Sequence, residues 1–255
     1  MPLKILVLIS RFSLSGVPLA QIRFAQALVR AGHNVEIVVG HVNDGYTVPA
    51  VENVSVRIWK HPRVSTMVPS LIKYFVVDKP DVVFSAEDHL NSMVLLAAFL
   101  SHTKAKISCS SRVTPIDKNT RKFGAYSDKI FTKRWALKQF MKLVMARADA
   151  LTCVSQDMVY QYKEVFKNSR HVCVYNIIED AQAADKMALP VEEEWFDNKL
   201  APVIVAAGTL ARRKGFHDLI MAMAELKDKT AAKLLILGTG PSHDSLQKMI
   251  VGAIA

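Results

Sequence analysis

The chain has 255 residues, 51% of them hydrophobic and 22% charged, and carries a formal net charge of +10. Such a composition can bury a sizeable core in one large domain or two small ones. The longest apolar stretch, Met93–Leu100, falls far short of the eighteen or so residues that a membrane span requires, which excludes a spanning helix.

At the N-terminus, Ile5–Ile9 is too short an apolar run for a signal peptide and ends at Ser10 and Arg11, so it reads as a first β-strand. Short β-branched runs then alternate with helical segments. The predicted strands are Lys4–Ile9, Val35–Val39, Val54–Trp59, Asp81–Phe84, Ala105–Cys109, Ala150–Val154 and His171–Tyr175. The predicted helices are Pro18–Ala31, Met67–Asp78, Leu90–Ser101, Ile130–Arg147 and Gln156–Phe166. In the first helix Leu19, Ile22, Ala25, Leu28 and Val29 share one face, and Gly32 stands where a C-terminal cap glycine belongs. Strands apolar nearly throughout, separated by helices, imply a parallel sheet covered on both faces. Residues 1–178 are therefore expected to form a complete doubly wound α/β domain, with function gathered beyond the carboxyl ends of its strands. Cys109, Cys153 and Cys173 lie far apart within apolar runs and have no zinc spacing. They read as buried thiols of a reducing compartment, so the expected location is the cytoplasm.

The charge is concentrated. Between Lys104 and Arg147 twelve basic residues face Asp117 and Asp128; twelve minus two gives +10, the whole excess of the chain in 44 residues. Lys129, Lys133, Lys138 and Lys142 belong to this run, interleaved with Ile130, Phe131, Trp135, Leu137 and Met141. One reading is a solvated helix face. The other is a basic amphipathic segment that meets an anionic membrane surface or an acidic ligand. Nucleic acid would suit the charge, but no recognised binding motif accompanies it, and no nucleic-acid partner is expected.

From Glu179 to Leu200 the pattern lapses into Ala, Asp and Glu, with Pro190 and Glu192–Glu194, which reads as an interdomain linker. A second βα series follows: strand Val203–Ala207, helix Gly215–Lys227, strand Lys233–Leu237 and helix Ser242–Ile250. The apolar run ends at Gly208, a short basic loop carries Arg212, Arg213 and Lys214, and Lys214-Gly215 opens the helix. That arrangement aims an ammonium and free helix-start N–H groups at one spot, which suits a diphosphate. Residues 201–255 hold two strands and two helices, and are expected to form an incomplete second α/β domain.

With Gly208, Lys214-Gly215 and Gly238-Thr239-Gly240-Pro241 in this two-part α/β setting, the chain resembles the retaining glycosyltransferases of the sucrose-synthase-like family (glycosyl transferases group 1), which have the GT-B fold. Ser15-Gly16 matches the family's glycine-rich loop facing the nucleotide sugar. Cys153–Asp157 and Val174–Ile177 match the end of its first domain, and Gly208–Ile220 with Leu235–Gly240 the start of its donor domain. The resemblance stops about a third short of a full member, so the chain is expected to be C-terminally truncated.

The resemblance implies a nucleoside diphosphate sugar as donor and no metal or other cofactor; the Lys214 loop and the basic segment 104–147 then point to a lipid-linked or glycan acceptor in cell-envelope polysaccharide synthesis. The resemblance also implies that an Arg–Lys pair and a helix N-terminus hold the departing diphosphate, whose developing charge preorganised cations stabilise. Lys214 matches the family lysine. Thr209 stands where the family often has arginine, and Arg212 or Arg213 replaces that arginine or is solvated loop charge. The donor side thus comprises Gly16, Gly208, Thr209, Arg212, Gly238 and Gly240, with Lys214 and Arg213 as catalytic candidates. On the acceptor side, Arg112 occupies the slot of a family histidine, and Glu87 and His89 end another strand; His89 reads equally as a surface residue and Asp88 as a plain N-cap. The family's two glutamates spaced eight apart, which hold sugar and ribose, have no counterpart here. A catalytically silent chain that binds acceptor or membrane, peripherally at the inner face, is the alternative to an active transferase.

Overall fold

The computed structural model describes residues 1–117, 122–123, 126–167, 169–177, 185, 187–191, 196 and 201–254. The chain separates into two compact units, Met1–Ala181 and Gln182–Ala255. Most of the expected linker 179–200 lies outside the described residues, as do Lys118 and Arg121 of the basic segment.

The first unit is built on a seven-stranded sheet. Its strands are β1 (Lys4–Phe12), β2 (Asn34–Val42), β3 (Ser55–Ile58), β4 (Val82–Ala86), β5 (Lys106–Ser111), β8 (Ala150–Cys153) and β9 (Val172–Cys173), in the order β3-β2-β1-β4-β5-β8-β9. Every pairing in it is parallel. A separate two-residue ladder joins β6 (Ile116–Asp117) to β7 (Lys122–Phe123) antiparallel. The helices are α1 (Gly16–Arg30), α2 (Val68–Val77), α3 (Asp88–Ser101), α4 (Lys133–Met145) and α5 (Gln156–Val165).

The central strand shows why an apolar run becomes such a sheet. Ile5, Leu6, Val7, Leu8 and Ile9 are each at most 3% exposed. Side chains alternate across a strand: Leu6 and Leu8 enter a core with Leu71, Leu90 and Leu95 of α2 and α3, whereas Ile5, Val7 and Ile9 enter a second core with Ile22 and Ala25 of α1. A strand covered on both faces has no polar side, which is what the unbroken apolar run records. Strand order reverses between β1 and β4, so the loops beyond their carboxyl ends, after Phe12 and Ala86, flank the crevice of a doubly wound sheet.

Boundaries differ from the sequence reading where a local interaction decides them. Strand β1 continues to Phe12 because Arg11 and Phe12 find partners in His41 and Val42. Helix α4 starts at Lys133 rather than Ile130 because the Thr132 hydroxyl accepts the Trp135 N–H at 3.1 Å, and Phe131 takes φ +63°. The last strand shrinks to the two residues that pair with Thr152 and Cys153.

A buried polar chain ties α5 to the sheet. The Tyr162 hydroxyl donates to one carboxylate oxygen of Asp88, and the Ser111 hydroxyl donates to the other at 2.7 Å. The His171 ring lies 4.3 Å from the Tyr162 ring, with Nδ1 2.5 Å from the Ser169 hydroxyl and Nε2 3.4 Å from that of Ser111.

The second unit is a parallel pair, β10 (Val203–Ala207) and β11 (Lys233–Leu237), with helices α6 (Phe216–Leu226) and α7 (His243–Ile254). Its buried cluster is Leu210, Phe216, Ile220 and Leu246, partly covered by Leu234 and Ile236. That is little apolar burial to set against a backbone ordering cost of roughly 1–2 kcal/mol per residue.

Two expectations follow from this packing. Native-state hydrogen exchange should be faster for amides of β10 and β11 than for those of β1, β4 and β5, and equal protection in both units would contradict the burial argument. Burial pushes the His171 imidazole down to about 4, below its ordinary value near 6.5. The unfolded chain therefore takes up a proton that the folded chain refuses, so stability should fall as pH drops from about 6.5 to 4, by as much as about 3 kcal/mol, and level off above. Urea denaturation across that range, repeated on His171→Phe, isolates this group: the variant's profile should be flatter by that amount.

Candidate acceptor and donor sites

The carboxyl ends of β1, β4 and β5 converge on Glu87. Its backbone takes φ +78° and ψ 128°, a conformation that a side-chain-bearing residue adopts only under constraint. The constraints are visible. Glu87 N–H donates to the Ser110 carbonyl at 3.0 Å, and its own carbonyl accepts the Asn91 N–H at 2.9 Å. Asn91 also holds Ser85 of β4 at 2.7 Å and the Ser110 carbonyl at 2.9 Å, so the turn is laced to both strands. The Ser10 hydroxyl donates to the Glu87 carboxylate at 2.5 Å, and His89 Nε2 stands 3.7 Å from the same oxygen.

Asp88 is no plain N-cap. Glu87 takes the cap position, and the Asp88 side chain turns inward to Ser111 and Tyr162. Burial raises its pKa, opposed by the hydrogen bonds from Tyr162 and Ser111. Both of its oxygens are engaged, so it braces the turn.

A cavity of about 460 Å³ opens beside this turn. Glu87, Asp88 and His89 form its polar end; Met93, Val113, Pro115, Leu137, Phe140 and Met141 make most of the remainder apolar. A second cavity of about 350 Å³ lies under α1, lined by Gln21, Phe24, Phe84, Arg112, Tyr175 and Asn176 among others. Arg112 donates to the Asn176 side-chain oxygen and, at 3.4 Å, to that of Gln21, while its buried Nε has no partner. Burial pulls its pKa down and the Glu87 charge opposes this, which places Arg112 in the electrostatic reach of Glu87 but in the other cavity. Gly16 opens α1 after Ser15, with open space around its Cα.

In the second unit two glycines are required by contact. A Cβ at Gly238 would lie 1.9 Å from the Gly208 carbonyl oxygen, and one at Gly240 would lie 2.5 Å from that of Leu210. The loops after β10 and β11 therefore pack backbone to backbone, pinned by Leu210 N–H to the Thr239 carbonyl at 2.9 Å. Thr209 is exposed beside them. Arg212, Arg213 and Lys214 form an exposed 3₁₀ turn, and Gly215 at φ +72° turns the chain into α6. Three cations thus sit at the N-terminal end of α6, where its unsatisfied N–H groups favour an anion.

The basic segment needs a correction. Lys129, Lys133 and Lys142 are exposed, but Lys138 is only 4% exposed and pairs with Asp128 at 2.5 Å. It faces the domain because its position on α4 falls on the side shared with Met141 and Met145, so it does not belong to a membrane-facing set. Ile130 and Phe131, at 59% and 94% exposure, project beside Lys129 and Lys133. Among the described residues no helix is long and apolar enough to cross a membrane, and no three His, Cys, Asp or Glu side chains gather as a metal site requires.

Sequence reasoning missed Ser10, Asn91, Ser111, Tyr162 and His171. Single polar residues at strand ends or on a buried helix face carry no periodic signal, and only the serines Ser110-Ser111 that close β5 stand out from the apolar run before them.

The fold is that of GT-B glycosyltransferases. The Anabaena protein HepE, solved in complex with UDP, superimposes with a TM-score of 0.64 at 14% identity over 98% of this chain and 66% of its own. The lipopolysaccharide outer core galactosyltransferase WaaB gives 0.59 at 15% identity over 98% of this chain and 65% of its own. By sequence, N-acetyl-alpha-D-glucosaminyl L-malate synthase of Bacillus anthracis is 20% identical over 116 residues, 45% of this chain and 30% of that protein. The chain thus spans about two thirds of the solved proteins and under a third of the curated relative. The model of Glycosyltransferase Family 4 matches residues 15–182, and the chain belongs to that family.

Proposed function

We propose that the chain takes part in transfer of a sugar from a nucleoside diphosphate sugar to a lipid-linked acceptor in cell-envelope polysaccharide synthesis, with retention of anomeric configuration and no metal. The observation that carries this reading is the cavity lined by Glu87 and His89 together with a mainly apolar set that includes Leu137, Phe140 and Met141. An acceptor hydroxyl would donate to the Glu87 carboxylate while an apolar aglycone lies along Leu137 and Phe140. The exposed Ile130 and Phe131, beside Lys129 and Lys133, would dip into an anionic membrane at the cytoplasmic face.

For the donor, the complexes of HepE with UDP and with UDP-glucose favour a uridine nucleotide. As the bond from the anomeric carbon to the diphosphate oxygen breaks, negative charge builds on the diphosphate. Lys214, with Arg213 or Arg212 and the N-terminal end of α6, would stabilise that charge. Gly208, Gly238 and Gly240 would keep the loops beside Lys214 packed closely enough for their backbone to approach the nucleotide, and Thr209 would border it.

A second reading is a chain that binds acceptor or membrane without turnover, through the same cavity and basic segment. Transfer from a UDP-sugar by the purified chain decides between the two.

Saturating UDP should stabilise the protein by mass action, about 2.7 kcal/mol at a hundredfold excess over Kd, seen as a raised Tm that Lys214→Ala abolishes. No shift at millimolar UDP removes the donor claim. Changing Lys129, Lys133 and Arg134 together to Glu should abolish sedimentation with phosphatidylglycerol vesicles, since each cation near such a surface contributes about 1 kcal/mol. A variant that still sediments like the parent, with an unchanged circular dichroism spectrum, would show that this tip does not meet the membrane.

A further inference from the structure

A larger cavity, about 670 Å³, shares no lining residue with the cavity at Glu87. It sits where α4 ends and β8 begins, against the end of α5: Met145, Ala146 and Leu151 form its floor. Its sheet-side members, Leu151 and Arg170, lie near the starts of β8 and β9.

Its rim is basic and drawn from three places in the chain. Lys138 and Lys142 are one turn apart on α4, Lys167 follows α5, and Arg170 precedes β9; Asp128 and Glu164 are the acidic members. Four cations against two carboxylates leave a net +2 in a space large enough for a small ligand. The pairing inside it is lopsided. Lys138 is 4% exposed, whereas the Asp128 side chain that meets it at 2.5 Å is 69% exposed and sits in the stretch before α4. A buried ammonium requires an anion, but an exposed carboxylate can leave for water at little cost. Hydrogen bonding from Lys138 holds the Asp128 carboxyl below its usual range, and the charges of Lys142 and Lys167 add to this, so all three lysines act on one point.

We propose that this cavity is a second ligand site, which takes a phosphate-bearing anion at the place where the Asp128 carboxylate now meets Lys138. Lys142, Lys167 and Arg170 would supply the additional donors, Arg170 while keeping its hydrogen bond at 3.0 Å to the Ala148 carbonyl. Displacement of Asp128 raises the local charge from +2 to +3, so a phosphate dianion is better matched than a monocarboxylate. A bound anion would bridge α4 to the end of α5, the helix that carries Tyr162 to Asp88, and so would stiffen the support of the acceptor turn.

The test is calorimetric titration of the full chain with inorganic phosphate at low salt, with vesicles as a second arm. Saturable binding is expected to persist in Lys214→Ala, which separates this site from the loop of the second unit. It should weaken by about tenfold or more in Lys142→Gln/Arg170→Gln, which removes two charge-assisted contacts. Lys142→Gln/Lys167→Gln, which spares the Arg170 backbone contact, should lose affinity to a similar degree. Asp128→Asn should bind phosphate more tightly than the parent, because the internal competitor is neutral. Sedimentation with phosphatidylglycerol vesicles that free phosphate competes away would identify the source as a headgroup; phosphate binding without sedimentation would identify a soluble anion. Absence of saturable phosphate binding in both the parent and Asp128→Asn would overturn the proposal. So would binding that survives both Lys142 variants.

Discussion

The turn at Glu87 is the point on which the carboxyl edge of the first unit depends. A glutamate at φ +78° is held there by three independent grips: its N–H on the Ser110 carbonyl, its carbonyl under the Asn91 N–H, and its carboxylate under the Ser10 hydroxyl. Each grip comes from a different element, so the position of Glu87 reports the mutual placement of β1, β5 and α3. Backbone strain of order 1–3 kcal/mol persists only where the surroundings over-determine it. Here they do, and Glu87, Asp88 and His89 line one cavity, with Asp88 held by Ser111 and Tyr162.

Behind the turn, the polar chain from Asp88 through Ser111 and Tyr162 to His171 is satisfied at the heart of the α4–α5 side. Buried hydrogen-bonded networks specify one arrangement, because any slip leaves a donor or acceptor unpaired in low dielectric. The apolar cores on both faces of β1 supply stability without direction; this chain supplies direction. The Tyr162 hydroxyl of α5 must meet a carboxylate on α3, which fixes the register of the helix on the sheet.

The second unit solves a different problem with few residues. Gly238 and Gly240 let two loops touch backbone to backbone, and Gly215 turns the chain sharply enough that Arg212, Arg213 and Lys214 crowd the start of α6. The fold spends glycine at contacts and concentrates cations at a helix start, an arrangement whose electrostatics favour an anion whatever its identity.

Much of the architecture is legible in the amino-acid order. The alternation of apolar strands and amphipathic helices already implies a covered parallel sheet, since each run such as Ile5–Ile9 has no polar face to give to water. The Lys214-Gly215 loop is equally legible, because a basic loop, a glycine and an amphipathic helix are local features. Other decisions are not local. Lys138 and Lys142 are indistinguishable in sequence, yet one turns under Asp128 and the other into solvent, because only the packing of α4 on α3 and the shared core decides which helical face is inside. Asp88 reads as a helix cap in isolation and becomes a buried brace only once Tyr162, seventy-four positions later, reaches it. The sequence by itself determined the elements and their class, through short-range periodicity and turn chemistry. Tertiary structure alone decided which charges are buried and which side chains share a cavity, because those follow from contacts between residues far apart in the chain.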